Sequence, residues 1–193
     1  MFAKPLLSLA ALPLLVALAS NVALAAPAPT RTIAFNFNLN YVSVMGGSFS
    51  APATLSGDVD TDGQIGKLQG TVYAPLGEQD LRVEPTAPTA VSDNSFGVYW
   101  WRWTCDPFGC RYDSGMSTFT QQVSQSNVDI RLGHLRGNGT LSWSTNPVCT
   151  AACPPPGASY WVSGSASSSL NGAVLSNQDA GRINAYGGAP TIQ

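Results

Sequence analysis

Charge is what this chain has least of. Of 193 residues, 9 are basic and 11 acidic, and His134 is the single histidine. A chain so poor in Lys and Arg has no basic stripe for nucleic acid and no polybasic segment for an anionic membrane surface. Glutamate is rarer still: only Glu78 and Glu84 occur, both in a proline-rich stretch. Glycoside hydrolysis needs two carboxyl groups facing each other across a sugar bond. Asp106, Asp113 and Asp129 would have to be recruited, and none shows a partner at strand spacing. Helical periodicity is also missing. Outside the first 25 residues no segment repeats its apolar positions every 3.6 residues, so no helix is expected. There is no internal repeat, and no linker long enough to divide the chain.

The one long apolar run stands at the start. Residues 6–18 follow Lys4 and precede Ala23-Leu24-Ala25, an A-x-A cleavage pattern. Pro13 interrupts the run, and it falls short of the ~20 apolar residues of a membrane span. Residues 1–25 therefore read as a cleaved signal peptide. No cysteine lies at the cleavage site to carry a lipid anchor. Residues 26–193 then form one exported domain of ordinary size, with eight basic and eleven acidic residues remaining. The destination is extracellular, or periplasmic if the source is Gram-negative.

Four cysteines in an exported chain predict two disulfides. The spacing favours the local pairs Cys105–Cys110 and Cys149–Cys153. A zinc site made by all four is the alternative, but its pairs are usually tighter and its compartment reducing.

The clearest local signal is a hairpin over residues 96–119. Asp106-Pro107-Phe108-Gly109 is the residue set of a type I turn, and aromatic and β-branched runs flank it. The turn places Cys105 opposite Cys110, Trp103 opposite Tyr112, Arg102 opposite Asp113, Trp100 opposite Gly115 and Tyr99 opposite Met116. A slip of one residue would destroy both the sulfur pair and the opposite-charge pair. One face carries Tyr99, Trp101, Trp103, Tyr112 and Met116, large and uncharged, and is expected to be core. The other carries Phe96, Val98, Trp100, Arg102, Asp113 and Phe119. With the first face buried, Trp100, Arg102 and Asp113 become the candidate ligand site: a flat ring beside a fork donor and a carboxylate suits a sugar. The plainer role for Trp100 is to cover the cross-strand Gly115.

Strands are expected elsewhere from alternation. Ile33, Phe35, Phe37 and Leu39 line one face of the first. A short strand around Pro52 follows. Residues 74–95, with Pro75, Pro85 and Pro88, read as a long surface connection holding at most an edge strand at Leu81-Arg82-Val83. Residues 118–123 and 127–132 read as two strands joined by polar residues, Gly137-Asn138-Gly139 as a turn, and residues 187–193 as a loose tail. About ten short antiparallel strands predict a single-domain all-β sandwich, with a β-barrel as the alternative. An outer-membrane barrel expects longer alternating segments.

Asp58, Asp60 and Asp62 with Gly63 match the first half of a calcium loop, three carboxylates at alternate positions before a sharp bend. Position twelve is Gln69 rather than a bidentate Glu, and no helix-forming sequence flanks the segment. A hairpin turning at Asp62-Gly63 competes with it. No other cofactor is indicated. Asp113-Ser114-Gly115 resembles the nucleophile segment of chymotrypsin-like proteases, where the histidine precedes these residues. His134 follows them, and no Gly-x-Ser-x-Gly elbow is present. Asn138-Gly139-Thr140 is a glycosylation sequon of consequence only in a eukaryotic source.

These features together predict a secreted, non-catalytic β protein binding a carbohydrate or another cell-surface ligand through aromatic residues. A structural protein acting by self-association is the alternative, and an Asp-dependent hydrolase comes last.

Overall fold

The structure, a computed structural model, describes residues 30–75 and 77–193. The signal peptide of residues 1–25 lies outside the described residues. The twelve strands are β1 (Arg31–Ser43), β2 (Ser48–Val59), β3 (Ile65–Ala74), β4 (Gly77–Pro85), β5 (Ala90–Asp106), β6 (Gly109–Leu132), β7 (Leu135–Ser144), β8 (Val148–Ala151), β9 (Ser159–Tyr160), β10 (Ser167–Leu175), β11 (Ala180–Gly188) and β12 (Thr191–Ile192). The all-β class is as expected, and no helix occurs among the described residues.

Eight strands pair in the order β4-β3-β2-β1-β11-β10-β7-β6, and β6 pairs back onto β4 from Leu81↔Leu132 to Pro85↔Val128. The antiparallel ladder closes on itself and has no edge along this stretch. It can be drawn as a barrel or as a sandwich whose two sheets are joined on both sides; the pairing is the same.

Alternation explains the core. Ile33, Phe35, Phe37, Leu39 and Tyr41 of β1 face inward, and Leu68, Val72, Leu81, Val83, Val128, Ile130, Leu132, Leu141, Leu170 and Ile183 meet them there. Burying each such side chain contributes about 1.5–3 kcal/mol. Outward positions carry Asn36, Asn38, Lys67, Gln69, Arg82, Glu84, Asp129 and Arg131, all exposed or half-buried. An outer-membrane barrel needs the opposite arrangement, apolar outside.

Four expectations need correction. Residues 77–85 and 90–95 are not part of a surface connection: β4 is a full strand that closes the ring, with Leu81 and Val83 wholly buried, and residues 90–95 begin β5, paired with residues 120–125 of β6. The prolines bound β4 and do not interrupt it, since Pro75 precedes it and Pro85 ends it. Residues 118–132 are one strand, because β5 and β7 hydrogen-bond to the polar segment from either side (Val91↔Ser124, Ser126↔Leu141) and hold it extended. Gly137-Asn138-Gly139 is not a turn. It lies within β7, where Gly139 opposes Gly172 of β10. A Cβ built on either glycine would come within 2.7 Å of the Ile130 side chain, so both are bare to let that side chain fill the interior. The tail is not loose, since Ile192 pairs with Ile33 and Gln193 exchanges backbone hydrogen bonds with Thr32.

Candidate functional site: the β5–β6 hairpin

Beyond the ring, β5 and β6 run on as a long hairpin in the expected register. Cys105 opposes Cys110, Trp103 opposes Tyr112, Arg102 opposes Asp113, Trp100 opposes Gly115 and Tyr99 opposes Met116. Asp106 shapes the tip by accepting the Phe108 N–H at 2.8 Å, and the Cys105–Cys110 disulfide closes it. The second disulfide is also local, Cys149–Cys153. With every cysteine in a disulfide, none is a thiolate ligand for zinc. Two disulfides and no free thiol fit an oxidising compartment.

The buried face of β6 changes along its length. Ser124, Ser126, Val128, Ile130 and Leu132 are buried within the ring, whereas Ser117 and Phe119 are buried in the hairpin. Even positions face the interior only where β6 is part of the closed ring. β4 stops pairing at Val128, and β7 at Val123. Past that point the chain returns over the odd face instead. β8 pairs with β6 at Thr118–Thr120, and β9 pairs with β5 at Trp100–Trp101. Ser117 Oγ donates to the Ala152 carbonyl at 2.5 Å, and the Phe119 and Tyr160 rings stand 5.7 Å apart.

The face expected to be core is therefore exposed. Tyr99, Trp101, Trp103, Tyr112 and Met116 are 48%, 38%, 68%, 48% and 59% accessible, and Phe108 at the tip is 99% accessible. Their rings pair with one another. Tyr99 stacks with Trp101 at 6.2 Å, and Trp103 leans on Tyr112 at 5.2 Å. The Tyr99 and Tyr112 hydroxyls hydrogen-bond at 3.0 Å. Ser114 and then Tyr112 hydrogen-bond to the Tyr99 hydroxyl and lower its pKa, while the bond to Tyr99 raises that of Tyr112. The result is an apolar platform with hydroxyls along its middle and no charge upon it.

Trp100, Arg102 and Asp113 do come together on the opposite face. Arg102 Nε and Nη2 both donate to Asp113 Oδ2 at 3.3 Å, and Arg111 Nε lies 3.6 Å from the same oxygen. Trp100 is half-buried against Gly115, and its indole N–H is buried without a hydrogen-bond partner. Much of its ring is thus taken up by its own sheet.

The three aspartates of the calcium pattern do not converge. Asp58 lies in β2 opposite Thr32. Asp60 begins a loop longer than the two-residue turn expected at Asp62-Gly63, and its Oδ1 accepts the N–H groups of Asp62 at 2.9 Å and Gln64 at 2.8 Å. Among the described residues no three His, Cys, Asp or Glu side chains gather as ion ligands. The loop borders a cavity of about 360 Å³ at the end of the ring, with Arg31, Gln122 and Thr145 on its other sides.

One carboxylate pair was hidden in the sequence. Glu84 directly opposes Asp129, because β4 closes the ring. Lys67 forms an ion pair with Glu84 and holds its pKa below the usual range, the wrong direction for a general acid. No protein-family model, no curated protein and no solved structure matches this chain.

Proposed function

We propose that this is a secreted, non-catalytic binding protein that holds a carbohydrate or another cell-surface ligand on Tyr99, Trp101, Trp103 and Tyr112. One observation carries the proposal: four aromatic rings are exposed together on a two-stranded arm with no charge among them. Isolated exposed apolar residues are ordinary, but a contiguous patch marks an interaction surface. Sugar rings have apolar faces and hydroxyl edges. Flat aromatic rings would cover the former, and the Tyr99, Tyr112 and Ser114 hydroxyls would meet the latter. Trp100, Arg102 and Asp113, on the covered face, serve to stiffen the arm.

A panel of immobilised neutral polysaccharides tests this. The protein should be retained by at least one, and a Trp101→Ala/Trp103→Ala variant should pass through while still folding cooperatively, its melting temperature lowered by only a few degrees. Retention of the double variant at wild-type strength would remove the platform from consideration.

A second reading is self-association. Among the described residues β5 has a partner on its outer side only at Trp100 and Trp101, so most of its backbone groups there are open to another strand. Light scattering that rises with concentration, and is abolished by a proline in that edge, would favour this reading over glycan binding.

A further inference from the structure

The outer wall of the ring carries a row of arginines. Arg82 of β4 directly opposes Arg131 of β6, and Arg131 directly opposes Arg136 of β7. Neighbouring strands stand about 4.8 Å apart, so three guanidinium stems rise within about 10 Å. Like charges set directly opposite each other destabilise a sheet. This chain nevertheless places Lys67, Arg82, Arg131 and Arg136, four of its few cations, around one shallow cleft of about 490 Å³.

Carboxylate partners relieve only part of the repulsion. Lys67 is paired with Glu84, and Arg82 reaches Asp80 at 3.4 Å. Among the described residues Arg131 donates only to the Gly133 carbonyl, at 3.4 Å. Arg136 has no ion pair and no side-chain hydrogen bond among the described residues. Glu84, Asp129 and Asn138 form the next row, so two carboxylates, one of them paired with Lys67, bound the cleft on its acidic side. Gly137 and Leu175 complete the lining on the β7 side.

We propose that this row is a second binding site, for the sulfate or carboxylate groups of an acidic polysaccharide. Guanidinium forks bind such groups through two parallel hydrogen bonds. Sparse charges along a polysaccharide suit three or four cations on a chain whose formal net charge is −2. Nucleic acid fits less well, since about 6–10 phosphate contacts and stacking aromatics are usual there, and no aromatic side chain lines the cleft. The site is remote from the aromatic platform and does not depend on it.

Titration of the full protein with dextran sulfate, polygalacturonate and neutral dextran at about 50 mM salt tests the proposal. One of the acidic polymers should bind, and neutral dextran should not bind through these arginines. Arg131→Gln/Arg136→Gln should weaken binding at least tenfold and flatten its salt dependence. Its melting temperature should hold or rise, because repulsion is relieved. Arg131→Lys/Arg136→Lys should fall between the two, and Arg182→Gln, which removes an exposed cation outside the cleft, should bind as wild type. Failure of both acidic polymers to bind, or binding indifferent to the Gln variant, would overturn the site. Equal affinity for a single-stranded DNA oligonucleotide through the same arginines would overturn its assignment to polysaccharide.

Discussion

The Trp100 indole lies against Gly115 of the facing strand: a Cβ built on Gly115 would stand 2.7 Å from Trp100 Cζ2 and 2.9 Å from Cε2. An aromatic ring laid over a cross-strand glycine repairs a position that has no side chain to pack. Gly115→Ala should push the indole off the strand and cost about 1–3 kcal/mol, the usual range for overpacking. Denaturant titration measures it, and an unchanged midpoint would mean that the ring does not rest there.

Two other tryptophans should behave oppositely. Trp143 is buried among the core side chains with its ring edge-on to Phe35 at 5.7 Å. Trp143→Ala should cost about 3–5 kcal/mol. Trp103 is 68% accessible and leans on Tyr112. Trp103→Ala should cost at most about 1 kcal/mol, the upper range of a cross-strand pair. Equilibrium unfolding of the two variants compares them directly; a Trp103 variant as damaged as the Trp143 variant would mean that the platform is covered in the folded protein.

Stability should depend on pH through Tyr41 and Asp179. The Tyr41 hydroxyl donates to Asp179 Oδ2 at 2.8 Å, and Ser43 Oγ donates to Oδ1 at 2.6 Å. Burial, and then the bond to Asp179, push the Tyr41 pKa from 10.0 up to about 12. Folding therefore favours the neutral phenol, and that contribution is complete below pH 10 and lost as pH rises toward 12. Ser43 and Tyr41 draw the Asp179 pKa below 3.8, so its contribution is present above that pH and lost on acidification. Tyr41→Phe should flatten the alkaline limb of the stability curve. A limb that stays as steep would assign the alkaline loss to another group.

Asp60 should matter more than its two neighbours in the acidic run. Its carboxylate holds two backbone N–H groups of the β2–β3 loop. Hydrogen bonds to a charged group contribute about 1.5–3 kcal/mol where buried. At this half-buried position Asp60→Ala should cost about 1–2 kcal/mol in all, and Asp58→Ala and Asp62→Ala much less. The cost should be the same with and without several millimolar calcium. A calcium-dependent rise in melting temperature that Asp60→Ala abolishes would assign the loop an ion as well.

How far residues can be placed before the fold is seen differs by element. Cys105 and Cys110 were placed by four turn residues between them, and every pair down to Tyr99 and Met116 followed, because antiparallel register propagates from the turn. Glu84 and Asp129 could not be placed. Their pairing depends on β4 closing the ring against β6, across 45 residues of chain, and the prolines around β4 disguise it as a connection. The arginine row was invisible for the same reason, although Arg131 and Arg136 lie close to one turn. Trp100, Arg102 and Asp113 meet as the register implies and stay partly exposed, whereas Trp101 and Trp103, expected in the core, are open to solvent.

Alternation along a strand sorts residues onto two faces, and a turn decides which residue meets which. Both depend on neighbours in sequence, so the all-β class, the hairpin register and the local disulfides were already decided by the chain. Which of the two faces meets water depends on what lies opposite it. In the β5–β6 hairpin the ring pairing of β6 with β7 ends near Val123, and Ala152 and Tyr160 come back over the other side. Large aromatic residues on the core-facing parity were left bare for that reason. Burial of an apolar face requires a second surface, and only the tertiary pairing decided where that surface runs out.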